Sequence, residues 1–184
     1  MQRPLALLIL SLSCVACAVT PNSSARSLAL NQGLFLSAHN EVRTDLGLTK
    51  LTWSEPLAEY AQVWANTLAT RYACSMQHRS EVGRDDWQVG ENLFWAGARR
   101  WTDGRRELEP ISPRRVVALW AEEVKDYNYA NNQCRSGAQC GHYTQIVWRD
   151  TQAMGCAAAI CGDLGQIWVC NYSPAGNWLG QRPY

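Results

Sequence analysis

The sequence predicts an α+β fold with an antiparallel sheet. Helical spacing of apolar residues recurs through the first two thirds of the chain. Two strand-like runs joined by Gly162-Asp163-Leu164-Gly165 follow near its end. Six cysteines remain once an N-terminal leader is set aside, and an even count in an exported chain reads as three disulfides. Spacing alone leaves their pairing open.

With 184 residues, 47% hydrophobic and 18% charged, the chain suffices for one domain with a packed core and excludes wholesale disorder. A net charge of +1 lacks the electrostatic footprint of a nucleic-acid binder. Nine Trp suggest a rigid aromatic core or a binding surface. The N-terminus carries Arg3, then an uncharged run from Leu5 to Ala18. That run is shorter than the roughly 20 residues of a bilayer span and fits a secretory signal, so no transmembrane segment is expected. Ala16-Cys17-Ala18 is a cleavage signal, giving a signal peptide over residues 1–18 and a secreted, extracellular chain without net charge. Alternatively, Leu12-Ser13-Cys14 or Val15-Ala16-Cys17 is a bacterial lipoprotein site, with a periplasmic or lipid-anchored product.

Residues 19–30 read as a flexible leader, with Asn22-Ser23-Ser24 a glycosylation sequon in a eukaryote, and residues 31–184 as a single domain. The first helix runs from Asn31 to about Asp45 on a stripe of Phe35, Ala38, Val42 and Leu46, and Gly47 stops it. Residues 48–53 connect to the clearest helix, capped by Ser54, with Leu57, Tyr60, Ala61, Trp64 and Leu68 on one face. Residues 74–90 are irregular. Glu91 to Trp95 form a strand or a buried turn, and 98–111 a solvated, charged loop. Ser112-Pro113 starts a helix in which Val116, Trp120, Glu123 and Tyr127 share a face, which turns one carboxylate inward. Residues 127–139 are loop. The strands are 154–161 and 166–172, the latter with Ile167, Val169 and Asn171 on one side and Trp168, Cys170 and Tyr172 on the other.

His39 reads as a helix-face residue with a local hydrogen bond. His78 and His142 lie close to Cys74 and Cys140, in stretches where function concentrates. With Glu91 and Glu123 they could form a metal site, an acid–base pair or a hydrogen-bonded network that orders a cleft. Spacing favours the network, because no dense metal motif is present. No Gly-x-Ser-x-Gly elbow, unpaired thiol or phosphate loop supports covalent catalysis, and no catalytic residue is assigned.

The string Gly141 to Trp148, GHYTQIVW, resembles the first signature of the CAP superfamily (cysteine-rich secretory proteins, antigen 5, pathogenesis-related 1). Cys170 to Trp178, CNYSPAGNW, resembles the second. Ala38-His39-Asn40, Gly90-Glu91-Asn92-Leu93 and WAEEVKDY from Trp120 to Tyr127 add to the likeness, which spans residues 33–184 and is strongest to the plant pathogenesis-related 1 branch. The resemblance implies a three-layer α-β-α sandwich with a small antiparallel sheet. It also implies a cleft of His78, Glu91, Glu123 and His142, in which the two histidines can hold zinc with the glutamates nearby. The implied disulfides are Cys74–Cys161, Cys134–Cys140 and Cys156–Cys170. The charged 79–89 stretch and the Arg-rich 96–113 insert depart from plant relatives. The end of the chain, from Pro174 to Tyr184, is similar to a peptide released from plant relatives, and is read here as the end of the fold.

The expected function is a secreted, monomeric, non-enzymatic binder of a sterol or other lipid acting in defence. A Trp-rich apolar groove would supply the binding energy. The alternatives are a zinc-dependent hydrolase and an interaction module working through surface loops.

Overall fold

The structure, a computed structural model, describes residues 26–80 and 87–184. The expected signal peptide, its alternative lipidation cysteines, the Asn22 sequon, the leader before residue 26 and residues 81–86 of the charged stretch lie outside the described residues.

After the short strand β1 (Arg26–Ser27), helix α1 (Gln32–Asp45) starts where Asn31 accepts a hydrogen bond from the backbone N–H of Leu34. It ends before Gly47, whose φ of +67° suits glycine. Its buried face is Phe35, Ala38, His39 and Arg43, which corrects the expected apolar stripe: Val42 is half-buried and Leu46 exposed. Apolar periodicity misses this face because half of it is polar and satisfied internally. The connector holds a short strand, β2 (Thr52–Trp53). Helix α2 (Glu55–Arg71) follows, capped by Ser54, and buries Leu57, Ala61, Trp64, Ala65 and Leu68.

The segment left open as strand or turn is a strand, β3 (Gly90–Ala96). The expected loop at 98–111 is exposed but contains a small hairpin, β4 (Arg99–Arg100) with β5 (Arg106–Glu107), beside an Arg99–Glu109 ion pair. Helix α3 (Pro113–Ala121), capped by Ser112, ends earlier than its apolar face suggests, and Glu122–Asp126 tightens into a 3-10 helix. Glu123 and Tyr127 are therefore not on a continuous α-helical face, because three residues per turn rotate them relative to Val116 and Trp120. The expected 127–139 loop also carries a hairpin, β6 (Tyr127–Asn128) with β7 (Gln133–Cys134). Helix α4 (Gly141–Ile146) precedes the two long strands, β8 (Ala153–Ile160) and β9 (Gln166–Ser173).

Strand β9 is central, antiparallel to β8 on one side and β3 on the other. The far edge of β8 takes β1 antiparallel and β2 in parallel, the one parallel pairing of the sheet among the described residues. Side chains alternate along β9 as expected. Trp168, Cys170 and Tyr172 enter the core with residues of α1, α3 and α4, while Ile167 and Val169 enter a second core under α2. Helices thus cover both faces of the sheet in three layers. The disulfides are Cys74–Cys161, Cys134–Cys140 and Cys156–Cys170, the pairing the resemblance implies.

Two close fits set the spacing of these layers. Gly155 of β8 lies under the first turn of α2, where a Cβ would stand 2.2 Å from the nitrogen of Ala58 and 2.6 Å from the carbonyl oxygen of Ser54. Arg43 of α1 is fully buried and donates to the carbonyls of Thr49, Ile146, Trp148 and Thr151, with a longer contact to Arg149. These carbonyls include the unsatisfied C-terminal end of α4.

Candidate functional site

His142 is the second residue of α4, two positions after the disulfide-bonded Cys140. Glu123 faces it from the 3-10 helix. One carboxylate oxygen lies 2.6 Å from Nδ1 of His142, and the other accepts from the backbone N–H groups of His142 (3.0 Å) and Tyr143 (3.2 Å). The glutamate thereby caps the otherwise unsatisfied amides at the start of α4. On the other wall, Nδ1 of His78 lies 2.9 Å from Oε1 of Glu91, which also accepts from the N–H of Arg79. Glu91 sits on β3, opposite Asn171 of β9, and His78 on the segment that Cys74 tethers to Cys161.

A carboxylate accepts, so Nδ1 donates in both pairs, and in the neutral rings the lone pair falls on Nε2. His78, Glu91 and His142 line one cleft of about 530 Å³, together with Met76, Asn92, Leu93, the Cys134–Cys140 disulfide and Asn177. Glu123 stands behind His142 rather than on the lining. No tryptophan lines the cleft, so the Trp-rich groove expected for a sterol is not formed there. Trp64, Trp120, Trp148 and Trp168 are buried in the core, whereas Trp87, Trp95, Trp101 and Trp178 are exposed.

The site is braced from below. The indole of Trp120 stacks on His142 at 5.9 Å and donates to the carbonyl of Leu93. Asn92 donates to the carbonyl of His142 and to the Tyr172 hydroxyl. His39 makes the expected local bond, Nδ1–H to the carbonyl of Phe35, which leaves Nε2 to accept from the Tyr172 hydroxyl at 2.8 Å. His39 is thus a strut beneath the cleft and does not reach it. Sequence reasoning missed Asn92, Tyr172 and Arg43. The available signal was His39 and Arg43 at i, i+4, two polar residues on the same helical face as Phe35.

Burial, reinforced by the charge of Arg43, lowers the pKa of His39 to about 4, against the resisting pull of its bond to Phe35. Burial raises that of Tyr172. Above about pH 6.5 His39 is neutral folded and unfolded. Between about 6.5 and 4 only the unfolded chain takes up the proton, so stability falls as the pH is lowered, by about 3 kcal/mol in all. Chemical denaturation at a series of pH values should show this slope, and His39→Gln should flatten it.

The end of the chain packs onto the same region. Asn177 accepts from Thr144 and donates to the carbonyl of Gly141. The Tyr184 hydroxyl meets that of Tyr143, and the N–H of Arg149 donates to Pro183.

Residues 36–172 match the CAP family, described as the cysteine-rich secretory protein family. The chain belongs to this family. Among its CAP relatives, a pathogenesis-related protein PR-1 of Medicago truncatula is 36% identical over 97% of this chain and 93% of its own length. A pathogenesis-related leaf protein 4 of Solanum lycopersicum is 39% identical over 82% of this chain and 81% of its own. Among solved structures, the venom allergen-like protein 4 of Schistosoma mansoni superposes with a TM-score of 0.62 at 27% identity, covering 85% of this chain and 95% of that one.

The donor set bears on the zinc implied by the CAP resemblance. Imidazoles that pass Nδ1–H to a carboxylate are oriented as metal-binding histidines are. Yet the carboxylates are occupied in doing so, and no group of three or more His, Cys, Asp or Glu suited to a metal occurs among the described residues. Two imidazoles fit a weak, open site and fall short of the three protein ligands usual in catalytic zinc.

Proposed function

We propose that this CAP chain is an extracellular, non-catalytic binding protein of the pathogenesis-related 1 kind, whose cleft takes a sterol or a similar amphipathic lipid. The names of the plant relatives support a role in defence. Three disulfides suit an oxidising, extracellular setting, and no helix among the described residues is long and apolar enough to cross a membrane.

One observation carries the binding reading: two imidazoles, each oriented by its own carboxylate, stand on the walls of a single cleft of about 530 Å³. That volume lies in the range of small-molecule sites, roughly 300–1,000 Å³. Nε2 of His142 accepts from a ligand hydroxyl, Asn177 adds a polar contact, and Met76 offers apolar surface. Titrating the purified protein with a fluorescent sterol tests this. Saturable binding that survives chelation and weakens about tenfold in His142→Ala, the loss of one good hydrogen bond, is expected. Absence of saturable binding overturns the lipid assignment.

The orientation of the imidazoles also favours a second reading, a zinc-dependent hydrolase. His78 and His142 would hold the ion, and bound zinc would supply an acidified water. Glu91 or Glu123 would act as the base, and Glu123 would first have to release the start of α4. Hydrolysis abolished by chelation and restored by zinc would replace the binding reading.

A further inference from the structure

A second, much smaller cavity lies behind the His78–Glu91 pair, with about 10 Å³ of space, lined by Tyr60, Arg79, Ser80, Val89, Glu91 and Asn171. That is room for about one water molecule. Two buried atoms of lining residues have no hydrogen-bond partner among the described residues: Nε of Arg79 and Oδ1 of Asn171. Arg79 is 7% exposed and Asn171 0%. Neither group is free to turn. The Arg79 guanidinium lies 3.5 Å over the ring of Tyr60 and donates to the Tyr60 carbonyl. The Asn171 amide nitrogen faces two acceptors, the carbonyl of Gly90 (3.3 Å) and Oε2 of Glu91 (3.5 Å), which fixes Oδ1 on the other side. Oε1 of Glu91 takes His78 and the Arg79 amide, while that long contact is all that Oε2 receives among the described side chains.

We propose that this cavity is a built site for one structural water, which makes Arg79 and Asn171 positioning residues for Glu91 and, through it, for His78. The donor count closes on water. The molecule accepts from Nε–H of Arg79 and donates to Oδ1 of Asn171 and Oε2 of Glu91. A cation could not accept from the guanidinium, and an anion would face the Glu91 carboxylate. Leaving the two buried atoms unpaired would cost their full desolvation, whereas one bridging water satisfies both. The two arms of the cleft are then held differently: Glu123 by main-chain amides, Glu91 partly through a water. This rests on the geometry of the pair and stands whether or not the cleft takes a lipid.

A high-resolution crystal structure of the protein tests it. An ordered water within about 3.2 Å of Arg79 Nε, Asn171 Oδ1 and Glu91 Oε2 is expected. A cavity without density, or one filled by an ion or by another side chain, overturns the proposal. In solution, Asn171→Leu should lower the number of long-lived waters seen by oxygen-17 relaxation dispersion by one. It should also turn the Glu91 carboxylate, with the Glu123–His142 pair unmoved. An unchanged count overturns the proposal. If Asn171→Leu does not fold, the density in the unaltered protein decides.

Discussion

Arg43→Met is expected to destabilise the protein by about 3–4 kcal/mol, among the largest losses from any single side chain. The arginine is fully buried and, among the described residues, donates to backbone carbonyls at residues 49, 146, 148, 149 and 151 and to no carboxylate. Burial lowers its pKa to about 10, so it stays charged at neutral pH. Methionine fills comparable volume and offers no donor, which strands several buried acceptors. Water reaching some of them keeps the loss below the sum of the individual bonds. Arg43→Lys retains one charged donor group but lacks the fork that reaches carbonyls on two sides, so an intermediate loss is expected. Urea denaturation of the three proteins measures this. A loss under about 1 kcal/mol in Arg43→Met would show that the carbonyls find other partners.

The second large effect comes from adding one methyl group. Gly155→Ala places a Cβ against the nitrogen of Ala58, the carbonyl oxygen of Ser54 and the carbonyl carbon of Leu57, all main-chain atoms at the start of α2. No side chain can swing aside, so either α2 lifts from the sheet or β8 bends. A loss of about 3 kcal/mol is expected, at the upper end for overpacking. Gly162→Ala is the matched control, because a Cβ there meets nothing within 4 Å, and its effect should stay within about 0.5 kcal/mol. Melting temperatures of the two variants that fall together would refute the close-approach argument.

Much of the fold is legible in the sequence because its signals are local. Ser54 and Ser112 announce the helices they cap, and the alternation along β9 sorts Trp168, Cys170 and Tyr172 from Ile167 and Val169. What stays hidden depends on partners distant in the chain. The buried face of α1 is half polar because the partners of His39 and Arg43 include Tyr172, the last residue of α4 and residues after it, more than a hundred positions away. The inward turn of Glu123 is foreseen from an α-helical period, yet a 3-10 helix achieves it. The four dispersed residues, His78, Glu91, Glu123 and His142, are singled out by their settings and by the family strings. Their division into two imidazole–carboxylate couples emerges only when β3 and the 3-10 helix are placed against the loops.

The short helix that bears His142 is fastened at both extremities, by Glu123 at its first amides and by Arg43 at its last carbonyls. On the proposed binding reading, a guest entering the cleft meets one jaw whose ordering cost was met during folding, so little entropy is lost there on association. On that reading, discrimination between guests would follow from shape and the direction of a lone pair, and congeners with a displaced hydroxyl should be refused rather than accommodated.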